Sequence, residues 1–354
     1  MTDKKSNGCF TVIDLFCGAG GLSYGFSEEE YKVMLGIDND SAALKTFQKN
    51  HHDSKIINKD VTKVSKSKIA KIIGKKKVDV IIGGPPCQGF SLSGPRKFND
   101  PRNRLYVSFI NYVDCFRPKA FIIENVPGLI SLYKGQIKDR IIYEFEKIGY
   151  KVTYKILNAA EFGVPQLRKR VVFVGLRKHF FDFPVPKLHE KDFVTCKDAL
   201  SDLPSLIDGL GTDPAVYNTK PSNIYQKRSR SKSENIRNHI GTNHSEQTRK
   251  VISMVPEGGN YKNLPDSYRN VRNFHVAFTR YDSKKPALTV DTGHRHHFHY
   301  KYNRVLTVRE NARVQSFPDT FVFYGNKSEQ YRQAGNAVPP ILAKAIARKL
   351  KEYL

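Results

Sequence analysis

The sequence predicts an α/β fold: a doubly wound, mostly parallel sheet with a second, smaller and irregular domain. Short runs of apolar, β-branched residues alternate with amphipathic, helix-like segments over residues 1–179. Strand–helix units of this length assemble into parallel sheets. From residue 180 to about residue 302 the alternation is lost, and prolines punctuate a polar stretch. This change of pattern predicts two domains of different construction.

Composition narrows the classes of protein to consider. The 354 residues suffice for two domains, and the formal net charge of +25 indicates a polyanionic partner, nucleic acid before membrane. A source whose proteins are all lysine-rich is the alternative explanation. The five cysteines form no CxxC pair, which favours reduced thiols in a cytoplasm over disulfides or zinc. The N-terminus is polar and no apolar run is long enough to span a bilayer, so we expect neither a signal peptide nor a membrane segment.

The first strands end in residues that suit a nucleotide-like ligand. Strands and helices alternate in the order Val12–Leu15, Leu22–Glu29, Lys32–Ile37, Ser41–Asn50 and Ile56–Ile57. The glycines of Phe16–Gly21 let the backbone approach a ligand closely. Asp38 suits ribose hydroxyls and Asp60 suits an adenine amino group, although each acid alone is better explained as a cap or turn residue. Three such features at successive strand ends predict an adenosine-containing cofactor.

A glycine- and proline-rich turn presents one thiol after the fourth strand. Val78–Ile82 predicts a buried strand, and Gly83-Gly84-Pro85-Pro86 then forces a tight, rigid loop before Cys87. Open α/β sheets bind their ligands beyond the carboxyl ends of the strands. A thiol at this place is a candidate nucleophile if a nearby positive group lowers its pKa. Taken alone, the sequence equally allows Cys87 to be a small buried apolar residue.

The later elements extend the sheet and end in a helix. They are predicted at Leu105–Phe116, Lys119–Ile123, Gln136–Ile148, Lys151–Leu157, Val171–Val174 and Ile341–Leu350. Glu124 follows the fifth strand, and the segment Gln166–Arg170 opens the strand at residue 171. If the fourth and fifth strands pair, the Glu124 carboxylate lies beside the thiol loop. A helix-capping role is the alternative for this acid.

The irregular domain holds a basic segment and a group of histidines. Residues 220–250 contain eight basic residues, among them Arg230, and predict a flexible loop that contacts phosphates. Merely solvated charges are the competing explanation. Four histidines lie close together, but no acid or cysteine completes a convincing metal site, so we expect polar surface there. They are His294, His296, His297 and His299.

Taken in order, the motifs of the chain resemble those of the DNA (cytosine-5)-methyltransferases, especially the compact bacterial enzymes of restriction–modification systems. The motifs are DLFCGAGG, GGPPCQGFS, ENV, QLRKR, RVLTVRE, RVQSFP and QAGNAVPP. They cover both ends of the chain and leave a variable middle, where that family places target recognition. The resemblance implies a catalytic S-adenosylmethionine-binding domain over residues 1–179. It further implies a target-recognition domain over 180–326 and a C-terminal segment, 327–354, that returns to the catalytic domain.

The chemistry of that family suits the residue types found here. Cytosine C5 is a poor nucleophile, and addition of the Cys87 thiolate to C6 makes C5 reactive. By resemblance, Glu124 hydrogen-bonds N3 and the exocyclic amino group, Arg170 holds the O2 carbonyl, and Arg168 supplies positive charge. S-adenosylmethionine gives its methyl group to C5, and loss of the C5 proton and of Cys87 completes the cycle. The cytosine must leave the duplex, at an unstacking cost of about a few kcal/mol.

The resemblance also implies which residues contact S-adenosylmethionine. Phe16 would face the adenine, Asp38 the ribose and Asp60 the adenine amino group. The loop residues line the methionine end, and a last group closes the pocket. The full set is Phe16, Gly18, Ala19, Gly20, Gly21, Leu22, Asp38, Asp60, Pro86, Leu105, Asn336 and Val338.

Contacts with DNA are expected from two regions. The loop after Cys87 is expected to cover the flipped base, and its DNA contacts are Gln88, Ser91 and Arg96. In the irregular domain, Arg230 is expected at phosphates. Arg280 and Arg295 are expected at bases, because arginine can bond guanine in two places.

Two other functions remain open at the level of sequence. The tRNA-methylating branch of the family carries Cys-Phe-Thr, whereas this chain has Ala277-Phe278-Thr279. A catalytically inactive DNA-binding relative would have no need of the intact Cys87 and Glu124. We therefore expect a monomeric, cytoplasmic enzyme that acts on double-stranded DNA. We also expect a bacterial or phage source, association with the nucleoid, and a separate restriction endonuclease as a partner.

Overall fold

The computed structural model describes residues 9–86, 104–269, 278–293 and 297–354. The chain divides into two compact units. The first comprises the residues up to 157 together with 169–185 and 343–354, and the second comprises 158–168 and 186–342.

A mostly parallel sheet forms the body of the first unit. Its strands are β1 (Thr11–Leu15), β2 (Lys32–Asp38), β3 (Lys55–Asn58), β4 (Val80–Gly83), β5 (Ala120–Asn125), β6 (Lys151–Asn158) and β7 (Lys169–Leu176). They lie in the order β3-β2-β1-β4-β5-β7-β6. The strands from β3 to β5 pair in parallel, and β7 runs antiparallel to β5. The predicted doubly wound, mostly parallel fold is confirmed.

The helices of this unit follow the predicted alternation. They are α1 (Gly21–Ser27), α2 (Ser41–Asn50), α3 (Lys66–Ile73), α4 (Arg104–Phe116) and α5 (Gln136–Lys147). The end of β5 differs from its prediction, because the strand continues two residues beyond Ile123. Glu124 and Asn125 belong to the strand because both pair with β7.

The described residues of the second unit form short helices and very little strand. Its helices are α6 (Cys196–Leu200), α7 (Ile224–Arg230), α8 (Glu246–Ser253), α9 (Asp266–Arg269), α10 (Val308–Val314) and α11 (Lys327–Asn336). Strands β8 (Thr279–Arg280) and β9 (His297–Phe298) form a two-residue parallel pair. The prediction of a flexible loop over residues 220–250 was wrong in part, because α7 and most of α8 lie in that range. Tyr225 and Gln226 bury one face of α7.

The chain ends in helix α12 (Pro340–Leu350). Residues 343–350 of this helix belong to the first unit. The Tyr31 hydroxyl donates to the carbonyl of Ala347 over 2.9 Å, and Arg348 Nη2 lies 2.7 Å from Glu29 Oε1. The predicted domains divide the chain differently, since they place residues 158–168 in the first domain and begin the returning segment at residue 327.

The aromatic cluster that packs against the sheet depends on Gly175, which has no side chain. The rings of Phe121 and Phe145 stack with their centroids 3.9 Å apart, and Phe109 meets both edge-on. Phe121 pairs with Gly175 across β5 and β7. A Cβ on Gly175 would lie 2.0 Å from Cε1 of Phe121. Glycine at this position therefore makes room for the aromatic stack.

We expect Gly175→Ala to lower the free energy of unfolding by about 1–3 kcal/mol, the usual cost of overpacking a rigid core. Denaturant titration measures the loss. Gly128→Ala is the control, because a Cβ there meets nothing within 4 Å. Equal stability of the two variants would contradict this account of the core.

Candidate active site

Side chains predicted to be functional gather at the carboxyl edge of the sheet. Strands β1 to β5 run in parallel, so their carboxyl ends meet at one edge. The antiparallel β7 begins at the same edge, since Glu124 near the end of β5 pairs with Val172. Arg170, two residues earlier, therefore reaches the edge as well. This is where open α/β sheets bind their ligands.

The glycine-rich turn after β1 has a backbone shape that most residues resist. Phe16, Gly18 and Gly20 adopt φ values of 64°, 51° and 93°. A Cβ on Gly20 would lie 2.5 Å from the His51 ring, whereas a Cβ on Gly18 would meet nothing within 4 Å. The turn therefore packs against His51 at Gly20, whereas the space beside Gly18 is open. The remaining predicted contacts in this turn, Ala19, Gly21 and Leu22, are buried.

Two acids, the half-buried Asp38 and the buried Asp14, fix the glycine-rich turn. Gly18 donates its backbone N–H to Asp38 Oδ2 over 2.8 Å, and Asp40 N donates to Asp38 Oδ1 over 2.9 Å. Burial raises the pKa of Asp38. On the other side of the turn, the Ser23 hydroxyl donates to Asp14, whose pKa burial raises to about 8. The prediction from sequence did not single out Asp14, although it lies within the DLFCGAGG motif.

Asp60 lies just past the end of β3 and caps a short 3₁₀ turn. Its Oδ1 accepts hydrogen bonds from the backbone N–H and the hydroxyl of Thr62, over 2.9 and 2.8 Å. Partial burial acts to raise the pKa of Asp60, but the two bonds from Thr62 and the positive charges of Lys63 and Arg104 together outweigh it, and the pKa is lowered. The side chain is charged and half-buried. A capping role and a role toward a ligand are both compatible with this geometry.

The loop after β4 is fastened to the end of β5. Asn125 Nδ2 donates to the carbonyl of Pro85 over 2.8 Å. A Cβ on Gly84 would lie 3.1 Å from Glu124 Oε2, so this carboxylate and the loop backbone are close neighbours. Pro86 is exposed at the edge. The predicted nucleophile and the loop contacts to DNA lie outside the described residues: Cys87, Gln88, Ser91 and Arg96.

Glu124 and Arg170 form an ion pair at the same edge. Arg170 Nε lies 2.9 Å from Glu124 Oε1, and the two side chains are 13% and 12% exposed. Arg170 Nη1 also donates to the carbonyl of Lys169 over 2.8 Å. The pair is partly desolvated, which strengthens its electrostatic attraction. A carboxylate and a guanidinium placed in this way can bind the polar edge of a small heterocycle.

Arg168 has a structural task within the second unit. It is 1% exposed, and its guanidinium donates to the carbonyls of Val290 and Gly335 over 3.3 and 2.9 Å. Gln166, fully buried, donates to Val314 O and accepts from Val290 N. These bonds explain why residues 158–168 cluster with the second unit. A direct electrostatic role for Arg168 at a reacting base stays a prediction.

The C-terminal end of α11 is held by close backbone packing. A Cβ on Gly335 would lie 2.0 Å from the carbonyl oxygen of Asp291, so only glycine fits there. Asn336 follows it and is exposed, and Val338 is buried at 8% exposure. Leu105, in the first turn of α4, is half-buried in the first unit. The roles of these three residues toward a cofactor stay predictions.

Buried ion pairs hold the second unit together. Arg304 donates to both carboxylate oxygens of Glu310 over 2.7 Å each, and Arg313 pairs with Asp319 over 2.6 Å and with Asp202 over 3.1 Å. Burial acts to raise the pKa of Glu310, but Arg304 outweighs it and holds that pKa well below the ordinary range. The RVLTVRE and RVQSFP motifs thus supply structural charges.

Two of the arginines predicted to contact DNA, Arg280 and Arg230, make hydrogen bonds within the protein. Arg280 is 5% exposed and its donors meet Ile252 O, Val255 O, His299 O, Tyr302 O and Asn303 Oδ1. That burial supports a structural role in place of the predicted contact to a base. Arg230 lies over the Tyr217 ring and donates to Thr219 O over 2.7 Å, so its phosphate contact stays a prediction. Arg295 lies outside the described residues.

The histidine group is not uniformly polar surface. His299 is 1% exposed, and its Nδ1 accepts hydrogen bonds from the backbone N–H groups of Lys301 and Tyr302. Burial lowers its pKa to about 3, so the ring is neutral at physiological pH. The surface prediction was therefore wrong for His299. His294 and His296 lie outside the described residues, and within the described ranges no cluster of His, Cys, Asp and Glu is arranged to hold a metal ion.

The fold and the polar groups at the carboxyl edge of the sheet define the class of the protein. A Rossmann-like, mostly parallel sheet with a glycine-rich turn after β1 and polar groups at its carboxyl edge is the architecture of an α/β methyltransferase. A solved structure, a DNA modification methyltransferase encoded within a prophage of E. coli, is similar at a TM-score of 0.79 and 29% identity. The match covers 97% of this chain and 99% of that one.

Sequence comparisons then fix the family. The profile of the C-5 cytosine-specific DNA methylases matches residues 10–352. Type II methyltransferase M1.HphI of Haemophilus parahaemolyticus is 41% identical over 95% of this chain and 85% of its own length. Type II methyltransferase M.DdeI of Desulfomicrobium norvegicum is 37% identical over 97% of this chain and 88% of its own length. The chain belongs to the C-5 cytosine-specific DNA methylase family.

Membership confirms the activity predicted from the sequence motifs, DNA cytosine-5 methyl transfer. Neither the tRNA-methylating alternative nor the inactive relative is favoured. The family and the fold imply a methyl donor of the S-adenosylmethionine type and a DNA substrate. Among the described helices, none is long and apolar enough to cross a bilayer.

Proposed function

We propose that this enzyme binds S-adenosyl-L-methionine at the carboxyl edge of the sheet. It flips a cytosine out of a specific site in duplex DNA and methylates C5 through a covalent bond between Cys87 and C6. The observation that carries the proposal is the Glu124–Arg170 pair, 2.9 Å apart, beside the loop that leads to Cys87. This reaction requires a carboxylate and a guanidinium that can hold the base, together with a thiol nucleophile, for which Cys87 is the candidate.

The residues after β1 fit the proposed methyl donor. Gly18 leaves open space where a Cβ would stand, and its N–H is already oriented by Asp38. The partly exposed Asp38 carboxylate suits hydroxyl groups of a ribose. Asp60 stays charged because its pKa is lowered, so it can accept a bond from an amino group. When bound, S-adenosylmethionine supplies an electrophilic methyl group.

The Glu124–Arg170 pair would hold and polarise the flipped base. Arg170 donates to the O2 carbonyl while Glu124 bonds N3 and the exocyclic amino group, which stabilises the charge that develops as Cys87 adds to C6. The two side chains hold each other in place, so neither has to be reorganised from water. The new S–C6 bond gives C5 its nucleophilic character. After methyl transfer, loss of the C5 proton and breaking of the S–C6 bond restore the aromatic ring and the thiolate.

The named relatives support a role in restriction and modification. Both are Type II methyltransferases and match nearly the whole of this chain. We propose that the enzyme acts on double-stranded DNA as a monomer in a bacterial cytoplasm. There it protects host DNA against a separately acting endonuclease. Recognition of bases is assigned to the segment around Thr289 and Arg295, since Arg280 is committed to internal hydrogen bonds.

Bisulfite sequencing of a plasmid that carries the gene tests the function directly. We expect conversion to be blocked at one cytosine of a recurring motif. Cys87→Ser should abolish this protection, because a serine hydroxyl is a far weaker nucleophile at neutral pH. Cys115→Ser is the control, since Cys115 is exposed on α4. Continued methylation by the Cys87→Ser enzyme would overturn the covalent mechanism, and a wild-type plasmid without any protected cytosine would overturn the function.

Asp60→Ala tests the cofactor assignment. Loss of a hydrogen bond to a charged group should raise the Kd of S-adenosylmethionine about tenfold in calorimetry, without changing the methylated motif. Because Asp60 also caps a turn, Asp40→Ala serves as the control: Asp40 caps α2 through Ala42 N and Ala43 N. If both variants lose affinity equally, or if neither loses any, Asp60 does not contact the cofactor.

A further inference from the structure

We propose that Tyr106 is a positioning residue for the nucleophile loop and acts through Asn125. This inference rests on the proposed function, because the loop that is positioned is the one leading to Cys87. Tyr106 lies in the first turn of α4, is 1% exposed, and belongs to the apolar core of the first unit. A side chain buried to that extent cannot touch DNA. Its hydroxyl, however, reaches the carboxyl edge of the sheet.

Asn125 is the link between Tyr106 and the loop. One Asn125 Nδ2 hydrogen is donated to Pro85 O over 2.8 Å and the other to the Tyr106 hydroxyl over 2.6 Å. The Oδ1 atom accepts from the backbone N–H of Val126 over 2.8 Å. With all three polar positions of the amide engaged, the side chain has one orientation. The Tyr106 hydroxyl, together with the Val126 N–H, therefore keeps the buried amide turned toward Pro85.

The position of Pro85 carries over to the residues that follow. Pro85 and Pro86 have fixed φ angles, so a displacement of the Pro85 carbonyl is transmitted along the chain instead of being absorbed. Cys87 comes next in the sequence. Glu124 precedes Asn125 on β5 and is held by Arg170. The Tyr106–Asn125–Pro85 contact thus fixes the loop backbone at Pro85, two residues before Cys87 in the sequence.

Such a contact should affect addition to the base more than binding. Misplacing a reacting group by a fraction of an ångström lowers the rate of a covalent step strongly, whereas ligand affinity depends on groups elsewhere. Tyr106→Phe removes only the hydroxyl and keeps the ring in the core. We expect it to lower kcat for methylation about tenfold, with the Kd values for DNA and S-adenosylmethionine unchanged.

The step itself can be measured without methyl transfer. In the absence of the methyl donor, addition of the thiolate to C6 lets C5 take up a solvent proton and lose its tritium before the S–C6 bond breaks. Release of tritium from duplex DNA containing 5-tritiated cytosine therefore reports reversible thiol addition without methyl transfer. We expect Tyr106→Phe to slow this release about tenfold. Tyr150→Phe is the matched control: Tyr150 is equally buried in the same unit and its hydroxyl donates to the carbonyl of Pro118 over 2.7 Å. Thermal unfolding of both variants measures the structural cost of losing a buried hydroxyl.

Three outcomes decide the proposal. Slower tritium release by Tyr106→Phe than by Tyr150→Phe, at similar Tm, supports it. Equal rates for the two variants overturn it while leaving the proposed function intact. A wild-type enzyme that releases no tritium and methylates no DNA overturns the proposed function and this inference together.

Discussion

The antiparallel pairing of β5 with β7 is the constraint on which the site depends. In an all-parallel sheet, the residue that opens a strand lies at the opposite edge from the residue that ends its neighbour. Because β7 is reversed, Arg170 at its start meets Glu124 at the end of β5, and their side chains pair over 2.9 Å. One change of strand direction therefore places a cation and an anion beside the loop after β4. The parallel strands β1 to β3 contribute the glycine-rich turn, Asp38 and Asp60 to the same edge.

The second unit is stabilised in a different way. Its motifs contribute arginines that are almost completely buried and paired: Arg304 with Glu310, and Arg313 with Asp319 and Asp202. Buried charges are costly to desolvate and tolerable only when every donor is satisfied. Arg280 donates to backbone carbonyls and to Asn303, and Arg168 donates through Nη1 and Nη2 to two backbone carbonyls. A unit with so little regular strand uses these side chains to fix its irregular backbone.

The sequence predicted the sheet well because its signals are local. Apolar runs that end at glycines or acids identify β1 to β5. The predicted boundaries of the helices and strands differ from the observed ones by only a few residues. Glu124 and Arg170 could be named from their motifs, although their contact required knowledge that β7 is reversed. Tyr106 carried no signal, since its partners Asn125 and Pro85 are distant in sequence. Arg280 was misread for the converse reason: its residue type suits DNA, while only the fold reveals that its donors are already used.

The central claim is that this edge of the sheet supports covalent catalysis through Cys87. Incubation with the methyl donor and duplex DNA containing 5-fluorocytosine at the target position tests it most directly, because fluorine at C5 cannot leave as a proton does and the adduct is trapped. Mass spectrometry of the digested complex then locates the bond. The account predicts a methylated fluorocytosine adduct on the peptide that contains Cys87. An adduct on another cysteine, or turnover without any adduct, would contradict it.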